Sequence, residues 1–261
     1  MNLYHLSEAQ ILVFGLIMLR MSGFIFSSAI FNAPVINLPV KVLLSLALAM
    51  LMYPLAKISP EMGEGFQQQI IQLALRETMV GISIGFLTRL FFFTVSMTGE
   101  LVSTSLGLNS AQIFNPMIGQ QAGVVEQFHS LIGMMIFLAI NGHHMMISAL
   151  AYSFEIIQVG NSTLHHGPYI ELAGLGQNLL LLSIKMSAPV MVAILLTNIS
   201  MGILGKAIPQ MNVLVTSFPV TILLGMLVVF ICMPLVVMEM NGISDFAAKQ
   251  LMALIRALGA A

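Results

Sequence analysis

Residues 70–97 read IIQLALRETMVGISIGFLTRLFFFTVSM, and this run holds Arg76, Glu77 and Arg89 inside an otherwise apolar stretch. It outlasts the about 20 residues that cross a bilayer. A soluble helix sets a charged face against an apolar one at 3.6-residue spacing. A charge at membrane depth is expensive and turns toward a cavity or a partner. The same mixture returns at 172–204, which also exceeds one span and carries Lys185. Working outward, further apolar runs fall near 11–31, 40–53, 124–154 and 213–238, and 40–53 is short for a span. Breakers such as Asn32-Ala33-Pro34, Ser59-Pro60 and Ile208-Pro209-Gln210 lie between them. The spacing predicts an all-α, polytopic integral membrane protein of about six apolar helical segments. Unequal lengths suit bent helices packed against other subunits, within one membrane-embedded domain over residues 1–261.

Composition agrees. Charged residues make up 7% and hydrophobic ones 58%, with mean hydropathy +0.99. A soluble domain carries about a quarter charged residues. A net charge of −1 supplies no basic stripe for phosphates and argues against a nucleic-acid partner. The N-terminus lacks the positive region of a signal peptide, so the first apolar segment is expected to be retained. Cys232 is the only cysteine, and in its apolar run it reads as a small buried hydrophobe. The 22 methionines form flexible, polarizable contacts that can repack, while there is no Trp. Lys41 and Lys206 fall on one side of a six-segment arrangement, and Lys57, Lys249 and Arg256 on the other, which leaves orientation open.

Within the third segment Gly81, Gly85, Arg89, Ser96, Glu100 and Ser103 recur at helical spacing and share one face. Gly81 and Gly85 also form a G-x-x-x-G pair that admits close helix approach. The stripe is either a packing face or a face turned to an aqueous path, which Arg89 and Glu100 favour. They stand about three turns apart and cannot easily pair with each other. Arg20, Arg76, Glu77 and Lys185 are each expected to meet a counter-charge or carbonyl on another helix or subunit. The alternative, snorkelling at a segment end, suits Arg76 and Glu77 better than Arg20 or Lys185.

The connection at 107–123 has no charge, glycines at both ends, and Phe114, Met117 and Ile118 within it. It reads either as an ordinary turn or as backbone built to sit among apolar surfaces, tolerated there only when buried in protein or lining a cavity. Residues 244–258 read as a separate amphipathic helix, with Ser244 as N-cap and Gly259 as its stop. Ala247, Leu251, Leu254, Ile255 and Leu258 form its apolar face, surface-lying or partner-docking. His143-His144 and His165-His166 are adjacent pairs that diverge by about 100° on a helix, so no metal site and no cofactor is expected. No nucleophile or phosphate-loop motif gives catalysis a residue to rest on, so an enzyme is not expected.

Three fragments in order carry a resemblance: Gly99-Glu100 through Gly107-Leu108 into Phe114-Asn115-Pro116; Phe137-Leu138-Ala139-Ile140-Asn141-Gly142-His143; and Gly205-Lys206-Ala207-Ile208-Pro209-Gln210-Met211-Asn212 followed by Ser217-Phe218-Pro219-Val220. On these the chain resembles the flagellar export-gate (FliR) family, with counterparts in virulence-associated type III secretion. The resemblance implies a non-enzymatic subunit that joins FliP- and FliQ-like subunits and other export-apparatus membrane proteins in lipid. It implies a place in the bacterial inner membrane at the flagellar basal body, at the entrance of a channel for unfolded flagellar proteins. It also implies a plug at 107–123, built from Gly107, Ile113, Phe114, Asn115, Pro116, Met117, Ile118 and Gly119. Arg20, Arg89, Glu100 and Lys185 then become buried charges for subunit or pore contacts. The alternative is a secondary transporter or channel for a small solute. That would bring inverted repeats and discontinuous helices, and the halves show no convincing repeat despite Pro189 and Pro219.

Overall fold

A computed structural model describes residues 8–33, 35–57, 66–109, 123–160, 166–210 and 212–259. Among them lie seven α-helices: α1 (Glu8–Ser27), α2 (Leu38–Met52), α3 (Phe66–Ser105), α4 (Val124–Ala139), α5 (Gly142–Ile156), α6 (His166–Ala207) and α7 (Val213–Gly259). A 3-10 turn, Tyr53–Leu55, follows α2. Five stretches are long and apolar enough to cross a membrane: Gln10–Ser27, Leu38–Leu55, Ile70–Ser105, Gly174–Ala207 and Val215–Gly259, with α4 and α5 together as a sixth, broken candidate. The chain is an all-α polytopic membrane protein.

Two segment boundaries differ from the sequence reading. The run 124–154 is two helices, because Asn141 adopts φ 58° and ψ 29° in the left-handed region and ends the regular ladder. Residues 244–258 are not a separate helix: α7 runs unbroken for 47 residues from Val213 to Gly259. Ser244 is buried inside it, where its N–H already has a helical partner, so no N-cap is needed. Pro189, Pro219 and Pro234 lie within α6 and α7 without ending them. Each removes one backbone bond, which neighbouring groups can restore in a membrane helix. The 40, 42 and 47 residues of α3, α6 and α7 correspond to about 60–70 Å each, twice the hydrocarbon thickness of a bilayer.

The chain divides into two compact units, Met1–Phe91 with Asn141–Leu175 and Asp245–Ala261, and Phe92–Ile140 with Gly176–Ser244. In the first unit α1 lies directly on the N-terminal half of α3. A Cβ on Gly23 would stand 2.7 Å from the Thr78 carbonyl, and one on Gly81 would overlap the Arg20 carbonyl. Glycine is required at this crossing for space. Ile17, Met21, Phe24, Ile25, Ile84, Met146, Leu150 and Phe154 are buried here. The end of α7 docks in the same unit with Leu251, Leu254, Ile255 and Leu258 buried and Lys249 and Arg256 exposed. Its amphipathic face is therefore covered by its own chain, with Gly259 against Ile156.

The second unit packs the C-terminal half of α3 against α4, α6 and α7. Val102, Leu106, Val125, Val190, Ile194 and Val229 form its core cluster. A seam of small polar groups lines the α3–α6 contact: Ser183 Oγ donates to the Thr94 carbonyl at 3.1 Å, and Thr98 Oγ1 to Met186 Sδ at 3.9 Å. Such groups let helices approach closely where lipid tails supply no hydrophobic drive. The outward sides of α6 and α7 remain apolar and uncovered, with Phe230 81% exposed and Leu223, Ile231 and Met238 also exposed.

Candidate functional site

The conformation at residues 103–109 follows from the end of α3. Gly107 takes φ 76°, the Leu108 N–H reaches back to the Ser103 carbonyl, and the Gly107 N–H to Thr104. This is a Schellman stop, which places a left-handed residue just past the helix and favours glycine there. Ser103 Oγ donates to Asn109 Oδ1 at 2.8 Å, and Asn109 Nδ2 donates to Thr104 Oγ1 at 3.2 Å. On the far side of the connection, the Gly123 N–H donates to Glu126 Oε2 at 3.3 Å. The other Glu126 oxygen accepts from Ser96 Oγ at 3.3 Å, and Ser96 shares a 3.1 Å contact with Ser130. Glu126 thus closes the first turn of α4 from the third position, where a carboxylate also meets the positive end of the helix dipole. The two ends of the connection meet at Ser103, which is fully buried.

Gly107 is the one proposed plug residue within this geometry. Ile113, Phe114, Asn115, Pro116, Met117, Ile118 and Gly119 lie outside the described residues. The glycines at the two ends serve different needs: Gly107 supplies a positive φ, whereas Gly123 has φ −57° and ψ 150°, open to any residue. Gly123 is small because a Cβ there would stand 2.6 Å from Ser103 Oγ. Glu126 escaped the sequence reading, although its place three residues after a loop-closing glycine is a capping-box spacing.

Around the axis of α3, at about 100° per residue, Gly85 and Ser103 lie about 40° from Gly81, Arg89 about 80° and Glu100 about 100°. The shared stripe divides along this sweep. Gly81, Gly85 and Ser103 are buried, Ser96 is half-buried, and Arg89 and Glu100 are exposed. Packing and exposure are therefore adjacent edges of one stripe. Ile82, Phe86 and Phe93 flank the two charges on the exposed side. Lys185 is likewise exposed on α6 beside Leu181 and Ile184. None of the three charges has a hydrogen-bond or ion-pair partner among the described residues.

Arg20 meets both a counter-charge and carbonyls on other helices, as expected, and finds them within its own chain. It is 0% exposed, and its partner is Glu77, also 0% exposed, at 2.7 Å within the same chain. Arg20 Nη1 donates to the Ser153 and Ile157 carbonyls at 3.3 Å, and the guanidinium lies 4.2 Å from the Phe154 ring centre. Glu77 Oε1 accepts from the Gly160 N–H at 3.1 Å. Glu77 is thus no snorkelling end residue: it sits three turns inside α3, where an unpaired carboxylate would be prohibitive.

The rings of His143 and His144 lie 4.2 Å apart, and His143 Nδ1 is buried without a partner. No group of three or more His, Cys, Asp or Glu gathers for a metal among the described residues. A cavity of about 410 Å³ beside the end of α3 is lined by Ser105, Met191, Val192, Ile194, Leu195 and Asn198. Its wall offers two uncharged polar side chains and no acid, base or nucleophile for chemistry.

The model of the bacterial export proteins, family 1, matches residues 11–246. The flagellar biosynthetic protein FliR of Bacillus subtilis is 22% identical over 94% of this chain and 95% of its own length. That of Aquifex aeolicus is 27% identical over 92% and 93%, and that of Pectobacterium carotovorum 26% over 83% and 82%. These matches run through both units and through the α3–α4 connection. They make this membrane-embedded chain a component of the flagellar export apparatus. The chain belongs to the bacterial export proteins, family 1.

Proposed function

We propose that the chain is a non-enzymatic subunit of the type III export gate in the bacterial inner membrane, at the flagellar basal body. It joins FliP- and FliQ-like subunits to form the channel entrance for unfolded flagellar proteins, and residues 107–123 close the pore. The observation that carries this reading is the exposure of Arg89, Glu100 and Lys185 on apolar helices without a partner among the described residues. A charge at the centre of a lipid-facing helix costs about 2.5–3.5 kcal/mol on insertion scales. Three such side chains are better accommodated against neighbouring subunits or a water-filled conduit than in lipid. The uncovered faces of α6 and α7 supply apolar area for the same neighbours.

A closing segment without charge suits a pore that must pass many different sequences. Tight, specific binding would stall transit, while an apolar constriction excludes water and ions at rest. Two measurements test the reading. Capturing the tagged chain from its native membrane is expected to bring down FliP- and FliQ-like subunits at fixed copy number. Deleting residues 113–120 is expected to make the assembled gate leak ions. A stable monomer that binds a small solute would overturn the assembly. An intact complex with unchanged conductance after the deletion would overturn the plug.

A further inference from the structure

One side of α6 is left bare in the second unit. Asn178, Leu181, Lys185, Val192, Leu195 and Ile199 recur at steps of three, four and seven residues and share one stripe about 30 Å long. All six are exposed, the four apolar ones at 51–59%, and half-buried Ala188 completes the repeat. Toward its own unit α6 turns Ser183, Met186, Val190 and Ile194, which are buried and lie about 100–180° around the helix from Lys185. We infer that the bare stripe seats one apolar helix of a different membrane subunit, and that a carboxylate on that helix meets Lys185. The inference rests on the proposed assembly with other membrane subunits and names the chemistry of one of its contacts.

Three observations carry it. First, Lys185 stands about 16 Å from the nearer end of the apolar stretch Gly174–Ala207, too far for a four-carbon stem to bring its ammonium to water. Lipid tails offer it no counter-charge. Second, this chain does not supply the missing charge. Residues 174–207 contain no Asp or Glu, so a second copy laid on the same stripe brings no carboxylate to Lys185. Glu100 belongs to α3, which meets α6 on its far side, where Ser183 Oγ donates to the Thr94 carbonyl. Third, the stripe has the 3.5-residue repeat of a left-handed helix pair. The cavity of about 410 Å³ opens beside it, with Val192 and Leu195 in its wall. A helix seated on the stripe fills that cavity with a side chain, and polar residues in such a seam fix the register of the pair.

Replacing Val192 by a photo-crosslinking residue, one repeat from Lys185, tests this in the full assembly in its native membrane. The expected adduct joins position 192 to a helix of another subunit that carries Asp or Glu within about two turns of the linked residue. Lys185→Glu is expected to lower the adduct yield at least ten-fold, about the least that unpairing a buried interfacial charge costs. Replacing the partner's carboxylate by Lys is expected to restore it. Lys185 is exposed within its own chain, so its substitution leaves the fold of the chain in place. Lys185→Met, which adds no new charge, is expected to lower the yield in the same direction. Adducts with lipid alone, an adduct with a second copy of this chain, a linked helix without Asp or Glu, or an unchanged yield in both Lys185 variants overturns the inference. A tagged chain that still recovers FliP- and FliQ-like subunits beside lipid-only adducts removes this contact alone. A chain that recovers no subunit removes the assembly beneath it.

Discussion

Removing the Glu77 carboxylate is the sharpest perturbation of the Arg20 site. Glu77→Gln keeps the side-chain shape but leaves a fully buried guanidinium without a counter-charge, and an amide N–H can then face the Arg20 Nε–H. Arg20 retains the Ser153 and Ile157 carbonyls at 3.3 Å and the Phe154 ring at 4.2 Å, which soften the loss without neutralising the charge. Breaking one side of a buried pair costs about 3–5 kcal/mol. Glu77→Ala also strips the Gly160 N–H of its acceptor, a further loss of about 1–3 kcal/mol. Replacing both members, Arg20→Met with Glu77→Leu, removes the desolvation penalty together with the attraction. It is expected to fall closer to wild type than either single change. The stability order is therefore wild type, double variant, Glu77→Gln, Glu77→Ala. Pulse proteolysis of the tagged chain in its native assembly measures this order across a denaturant series. A Glu77→Gln chain within about 0.5 kcal/mol of wild type would refute the reasoning, since surface substitutions have effects of that size. So would a double variant less stable than both singles.

Four further outcomes follow from the packing and the exposed charges. Gly81→Leu drives side-chain atoms into the Arg20 carbonyl and is expected to destabilise the chain by about 1–3 kcal/mol. Gly15→Ala, with nothing within 4 Å of the new Cβ, is expected to be neutral or to gain up to about 1 kcal/mol by helix propensity. Both are readable by the same proteolysis. Lys185→Gln is expected to leave the chain's own unfolding unchanged while lowering recovery of partner subunits in a pull-down. Full recovery with normal export would show that Lys185 faces lipid at a segment end. Gly225→Leu, which overlaps Leu106 and comes within 2.8 Å of Ile194 Cδ1 for its first atom alone, is expected to weaken the second unit by about 1–3 kcal/mol.

Composition and run length made the helical membrane class legible, because both depend on sums over many residues. The G-x-x-x-G pair at Gly81 and Gly85 pointed to a close helix contact, and the structure presses α1 onto those positions. The burial of Glu77 was not legible. Its partner Arg20 is 57 positions away, and no local spacing distinguishes a carboxylate that snorkels from one that meets a guanidinium. The end of α7 misled for another reason. Ser-Asp before an apolar periodicity is a sound start signal, but a helix already running through Ser244 overrides it at no cost. The two glycines bounding 107–123 looked alike in sequence. They differ because a positive φ and a missing Cβ solve separate problems, and only coordinates separate them. The exposed edge of the α3 stripe, with Arg89 and Glu100, stayed undecided because no described residue pairs with either charge.

The polar contacts of this chain fall into two classes whose strengths differ in a way that bears on function. The Arg20–Glu77 pair is wholly buried and tied to two backbone carbonyls and one N–H, so releasing either partner strands a charge. Nothing that must move can be built on it, and it is suited to hold α1, α3 and the end of α5 in one arrangement. The Ser103–Asn109 and Asn109–Thr104 bonds are neutral, and each is worth about 0.5–1.5 kcal/mol net. Glu126 joins them through 3.3 Å bonds, long for charge-assisted contacts of about 2.7–2.9 Å. Bonds of that size yield to competing interactions of ordinary strength, whereas the buried ion pair does not. Weakening the buried ion pair is therefore expected to deplete the protein, read as its level in the membrane.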